Sequence, residues 1–157
     1  MQPSPHPLEL KIMPMALLAI TAVLMAAVAA ATPALNIALP LNGPVGLLLL
    51  ALGLALVLAG GQAFRQASTT FDPRQPAAAS QLVRSGVYRH TRNPMYLGFA
   101  LMLAGWADWQ ANLAALALLP AFALYLQRFQ IIPEERAMLA KFGAPFARYC
   151  QEVRRWC

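Results

Sequence analysis

Four runs of apolar residues, each bounded by Pro, Gly or polar positions, set the framework of the chain. Met13 to Ala31 (MPMALLAITAVLMAAVAAA) is broken only by Pro14 and Thr21. Pro44 to Gly61 (PVGLLLLALGLALVLAGG) has Pro at its start and paired Gly at its end, the asymmetry that helix caps favour. Pro94 to Ala107 (PMYLGFALMLAGWA) is short, and a fourth run from Asn112 passes through LAALALLPAFALYLQ into RFQII, with Pro120 marking a kink. About 20 apolar helical residues cross a hydrocarbon core roughly 30 Å thick. The pattern therefore predicts an all-α integral membrane protein of about four transmembrane helices. Asp108-Trp109-Gln110 is room for a tight turn only, so the third and fourth helices should form a hairpin.

Composition agrees: 59% of residues are hydrophobic and 11% charged, against roughly 45–50% and 25% in soluble domains. Twelve Lys and Arg oppose six Asp and Glu, for a net charge of +6. The bases cluster in two blocks, Arg65 to Arg92 and Arg128 to Arg155, which points to a membrane surface and away from nucleic acid. Thr32 to Gly43 has no charge, so both basic regions belong in the cytoplasm, with the N- and C-termini beside them. A bacterial inner-membrane location is the expectation. The first run, followed by AAVAAATPA, is open to a second reading as a cleaved secretory signal. Cys150 and Cys157 lack CxxC or CxxH spacing, and His6 and His90 have no helical partner histidine, so no metal site is expected.

One membrane domain, 1–157, then divides into two N-terminal helices (1–61), a cytoplasmic loop (62–93), the hairpin (94–132) and short amphipathic cytoplasmic helices (133–157). Pro73 to Ala79 reads as an ordered excursion of the loop, and its polar residues gather from Gln81 to Tyr96. Gly86 suits a turn, Tyr88, His90, Arg92 and Asn93 follow closely, and a helix opening at Pro94 would present free N–H groups to a carboxylate or phosphate. Arginines as positive-inside anchors and tyrosines as an interfacial belt are the simpler account. A second polar group, Gln127, Arg128, Gln130 and then Pro133-Glu134-Glu135, reads as a helix start whose acids serve the cap. Together the two groups would also suit a zwitterionic ligand, with carboxylates on one wall and a guanidinium on the other. In the tail, Gly143 can end one helix and Pro145 begin another with Phe146, Tyr149, Cys150 and Val153 on its apolar face, making a lid or platform.

LVRSGVYRHTRNPMYLG, followed after the hairpin by EERAMLAKFGAPFARYCQEVRRW, resembles the isoprenylcysteine carboxyl methyltransferase family and its phospholipid methyltransferase relatives. The likeness runs from Leu82 to Trp156 and joins two motifs in the family's order. It implies an S-adenosylmethionine-dependent membrane methyltransferase acting on a lipophilic or lipidated acceptor, most simply by O-methylation of a carboxylate. By position, it implies cofactor contacts from Leu82, Val83, Tyr88, Asn93, Pro94, Met95, Tyr96 and Glu134, with Glu134 on the cofactor's ammonium. Arg92 and Glu135 take catalytic places, and Gln130 and Arg128 lie toward the substrate. Three departures from the pattern stand out: Asn93 replaces a histidine, Ser80 stands where another would be, and Gln130 replaces an arginine. An NADPH-dependent membrane reductase and a non-catalytic membrane protein of the same fold are the alternatives.

Overall fold

The computed structural model describes residues 6–37, 42–69 and 78–157, and its regular structure there is helical, apart from an isolated bridge between Asn36 and Asn112. The helices are α1 (Pro14–Ala31), α2 (Pro44–Gln66), α3 (Pro94–Gln110), α4 (Leu113–Leu116), α5 (Leu118–Leu126), α6 (Ile132–Phe142) and α7 (Ala144–Glu152). A π-helical turn, Gln127–Ile131, joins α5 to α6. Three stretches are long and apolar enough to cross a bilayer: Pro14–Ala31, Pro44–Gln66 and Leu113–Phe142. The 17-residue α3 is shorter and carries seven buried residues. Much of what α1 and α2 show outward is apolar, as at Val23 (69% exposed) and Leu47 (65%), as expected of a lipid-facing surface.

Several boundaries differ from the sequence pattern. Gly60-Gly61 does not end α2, which continues to Gln66, because Gly60 serves packing rather than capping: a Cβ there would lie 2.7 Å from Met95 Cγ. Asp108 to Gln110 form the last turn of α3 instead of a loop. The chain reverses at Ala111, in the left-handed conformation (φ 46°), and Asn112, whose side chain accepts from Ala115 N and caps α4. Pro120 has no N–H for the carbonyl four residues back, and the helix is interrupted at Ala117. Pro133 lies in the first turn of α6 as expected, but α6 continues the preceding span without a break. Of the Pro73 to Ala79 excursion, residues 73–77 lie outside the described residues.

Glycines build the centre of the bundle. Gly46, Gly53 and Gly60 recur every seven residues, two helical turns, and so line one stripe of α2; Gly98 and Gly105 do the same on α3. The helices run antiparallel with Gly53 against Gly98 and Gly46 against Gly105. A Cβ on Gly53 would meet Gly98 O at 2.5 Å, and one on Gly105 would meet Gly46 O at 2.5 Å. Small residues let backbones approach this closely where burial in lipid gives little hydrophobic drive. On its other side α3 meets α1 and α5, burying Met25, Phe99, Leu103, Phe122, Leu126 and Ile131. Trp106 Nε1 donates to Ala22 O at 3.0 Å, tying α3 to α1.

One end of the bundle is closed by caps between helices. Asp108 Oδ2 accepts from Gly43 N (3.1 Å) and Gly46 N (2.9 Å), so the last turn of α3 caps the start of α2. Asn112, 2% exposed, donates to Thr32 O and Asn36 Oδ1. Asp108→Ala leaves two backbone donors of α2 without their partner and should cost about 1–2 kcal/mol, read as a lower melting temperature in detergent. Asp108→Asn, which retains an acceptor, should lose less.

Candidate functional site

The loop residues, the second half of the fourth helix and the C-terminal tail meet at the opposite end. Ser80 and Gln81 are tied back to Thr69 Oγ1, and Gly86 (φ 58°) opens a 3₁₀ turn through Arg89. Gly supplies that left-handed conformation without steric cost. The turn delivers Tyr88 into a small apolar cluster with Ala63 and Val83, edge-on to Phe64 at 5.4 Å. Burial pushes the Tyr88 phenol well above its ordinary range, and the neighbouring Tyr149 and the Glu134 carboxylate push it the same way. Tyr88 is therefore a neutral side chain.

Glu134 sits at the centre. Tyr96 Oη donates to its Oε1 at 2.5 Å and Gln130 Nε2 donates to the same oxygen at 2.8 Å. Tyr96 is 3% exposed and Gln130 2%. Oε2 takes no hydrogen bond, and no cation pairs with this carboxylate, among the described residues. A carboxylate inside a protein needs compensating charge, and two neutral donors give only part of it. The π turn sets this geometry: it inserts one extra residue and rotates all that follows by roughly 100° relative to the upstream span.

Its neighbour Glu135 has the opposite environment. Arg92 Nη2 donates to Oε1 at 2.7 Å, while Arg155 reaches Oε1 through Nε (3.1 Å) and Oε2 through Nη2 (2.7 Å). Arg92 also donates through Nη1 to Cys150 O (2.9 Å) and Val153 O (2.6 Å), and its backbone N–H to Arg154 O (3.0 Å). Asn93 Nδ2 and the Thr91 hydroxyl both donate to Arg155 O. These bonds fasten the last residues of the chain across the opening of α3, and Trp156 Nε1 ends them on Gln127 Oε1 at 3.1 Å. Tyr149, on the buried face of α7, donates to Tyr88 O at 2.7 Å. Burial raises the half-buried Cys150 thiol, which disfavours its thiolate and leaves it a packing residue.

Beside this cluster lies a cleft of about 740 Å³ lined by Leu82, Val83, Ser85, Arg89, Tyr149 and Glu152 among others. Its size lies within the roughly 300–1,000 Å³ usual for small-molecule sites. Tyr149 links the cleft to Tyr88, whose carbonyl its hydroxyl bonds.

The structure thus brings Tyr96, Gln130 and Glu134 together, sets Tyr88 against Val83, Phe64 and Tyr149, joins Arg92 to Glu135, and puts Leu82 and Val83 on the cleft. Pro94 and Met95 lie against Gly60 of α2, and Asn93 holds the tail. Arg128 is turned away, pairing with Glu9 at 3.3 Å and lying over the Phe129 ring. Sequence reasoning missed the roles of Arg155, which lies in the same motif as Glu135 but twenty residues on, and of Glu9, which shares no motif with the arginines it meets. The tyrosine at 149 was visible as an apolar helix face, but its bond to Tyr88 was not.

A sequence model described as phospholipid methyltransferase matches residues 41–145, two thirds of the chain and all of the elements from α2 to α6. The chain belongs to the phospholipid methyltransferase family. It is a helical membrane methyltransferase by that membership, in agreement with the resemblance carried by its two motifs. A protein of Haemophilus influenzae described only as uncharacterized is 42% identical over 62 residues, which cover 40% of this chain and 98% of that relative. No solved structure matches the chain significantly.

Proposed function

We propose that the chain transfers a methyl group from S-adenosylmethionine to a lipophilic acceptor, a carboxylate or amine on a lipid-like molecule, at the cytoplasmic face of the inner membrane. The observation that carries this reading is Glu134: a carboxylate among buried side chains, oriented by Tyr96 and Gln130 and lacking a cation among the described residues. An ammonium supplies what is missing, and the α-amino group of S-adenosylmethionine is one. The remaining groups fit as well. Gln81, Ser85 and Glu152 on the cleft can hydrogen-bond a nucleoside, and the neutral Tyr88 ring suits the neighbourhood of a sulfonium.

When bound, the cofactor supplies an electrophilic methyl group to an in-line nucleophile. The chain's own work is to place and to exclude: Glu134 fixes one end of the ligand, Leu82 and Val83 border the other, and the tail covers the site against water. Arg92 and Glu135 act by holding that tail, with Asn93 beside them. A carboxylate acceptor is ionised at neutral pH and needs no base, which favours O-methylation over transfer to an amine.

The reading includes four membrane crossings. α3 lies along α2 from Gly105–Gly46 to Met95–Gly60, and its 17 residues reach roughly 26 Å, close to a hydrocarbon core of roughly 30 Å. Both termini then share the basic side with Glu134. The test is to supply methyl-labelled S-adenosylmethionine to membranes with and without the protein and to identify the labelled product. Label appearing in a lipid-extractable molecule only with the protein is the expected result; identical extracts overturn the proposal.

A further inference from the structure

The segment preceding α1 lies outside the region matched by the family, 41–145, yet it is fastened to the π turn that carries Gln130. Pro133 has no N–H, so the Phe129 carbonyl four residues back loses its helical donor. Leu10 N takes that place, donating to Phe129 O at 3.0 Å. The His6 ring lies 5.1 Å from the Phe129 ring. Glu9, its side chain 7% exposed, pairs with both Arg128 and Arg136.

The two arginines are eight residues apart, a spacing that sets them about 80° apart on an α-helix. The extra residue of the π turn removes one step of roughly 100°, and eight then behaves as seven, bringing both side chains to one face. In this register a single carboxylate, Glu9, holds both. In the uninterrupted α register, Glu134 would be rotated away from Tyr96 by that same step.

We infer that residues 6–10 form a strap that selects the π register of the fourth helix, and that Glu9 is a positioning residue for Glu134. This rests on the proposed role of Glu134 in gripping the cofactor. Glu9 touches none of the proposed ligand groups; it acts through Arg128, Arg136 and the turn between them.

The experiment uses the full chain in detergent, with S-adenosylmethionine binding followed by calorimetry and backbone amide exchange measured without ligand. In Glu9→Ala, affinity should fall about tenfold, the melting temperature should stay within a degree or two, and amides of 127–132 should exchange faster while those of α2 and α3 do not. The double variant Glu9→Arg with Arg136→Glu restores one ion pair and should recover much of the affinity. Unchanged affinity in Glu9→Ala, with the unaltered protein binding normally, overturns this inference alone. An affinity loss that tracks a general fall in melting temperature, or that the charge swap leaves uncorrected, overturns it too. If the unaltered protein binds no S-adenosylmethionine, the proposed function fails and the positioning role with it, whereas the exchange rates still decide whether the strap holds the turn.

Discussion

Glu134→Gln should remove most S-adenosylmethionine binding and, in the same protein, raise the melting temperature of the ligand-free state. The two effects have one cause. Without ligand, Glu134 is a carboxylate held, among the described residues, by two neutral donors and no cation. An amide keeps an acceptor for Tyr96 and removes the uncompensated charge, a gain of roughly 0.5–2 kcal/mol of the kind common when functional sites are neutralised. With ligand, the lost charge takes its ion pair away. Truncating one partner of a buried charged pair costs about 2–5 kcal/mol, or roughly 30- to several-thousand-fold in affinity. Calorimetry and thermal melting on one purified sample read both. A variant that binds S-adenosylmethionine as the unaltered protein does would remove Glu134 from the site, and a lower melting temperature would show the carboxylate to be a structural group.

The second large effect lies away from the site. Gly53→Ala places a Cβ 2.5 Å from Gly98 O and 2.7 Å from Met102 Cγ. The first of these is backbone and cannot rotate aside, so α2 and α3 must separate. Overpacking of this kind costs about 1–3 kcal/mol, occasionally more, and because the seam links two helices the loss should appear in melting temperature and in the yield of folded protein. Gly61→Ala is the control. No atom lies within 4 Å of a Cβ there, and replacing an interior helical Gly by Ala gains about 0.5–1 kcal/mol. Opposite signs from two glycines of one helix would establish the seam; a loss at both would show that helix flexibility matters instead.

The apolar runs were legible because a bilayer-crossing helix is a local property: length and hydropathy suffice, and α1 and the starts of α2 and α3 appear within a residue or two of where the pattern places them. The pairing of loop and acids was legible only because two motifs occur together in one order. Their division of labour was not. Glu134 and Glu135 are neighbours of identical chemistry, yet one faces Tyr96 and Gln130 and the other two guanidiniums, a difference set by helix rotation and by a tail 20 residues further on. The Gly60-Gly61 pair misled for a similar reason: glycine ends helices and also packs them, and only the presence of Met95 opposite Gly60 distinguishes the uses.

The sequence by itself determined that this chain is a helical membrane protein with a polar, basic end, since transfer of apolar side chains from water depends on composition and period and hardly on partners. Tertiary structure decided which carboxylate meets two guanidiniums and which meets only neutral donors among the described residues, which arginine is committed to the tail, and how the π turn aims Gln130 and Glu134. Those outcomes depend on rotation about a helix axis and on contacts between segments more than 100 residues apart, such as Glu9 with Arg128 and Arg136, and no local pattern encodes them.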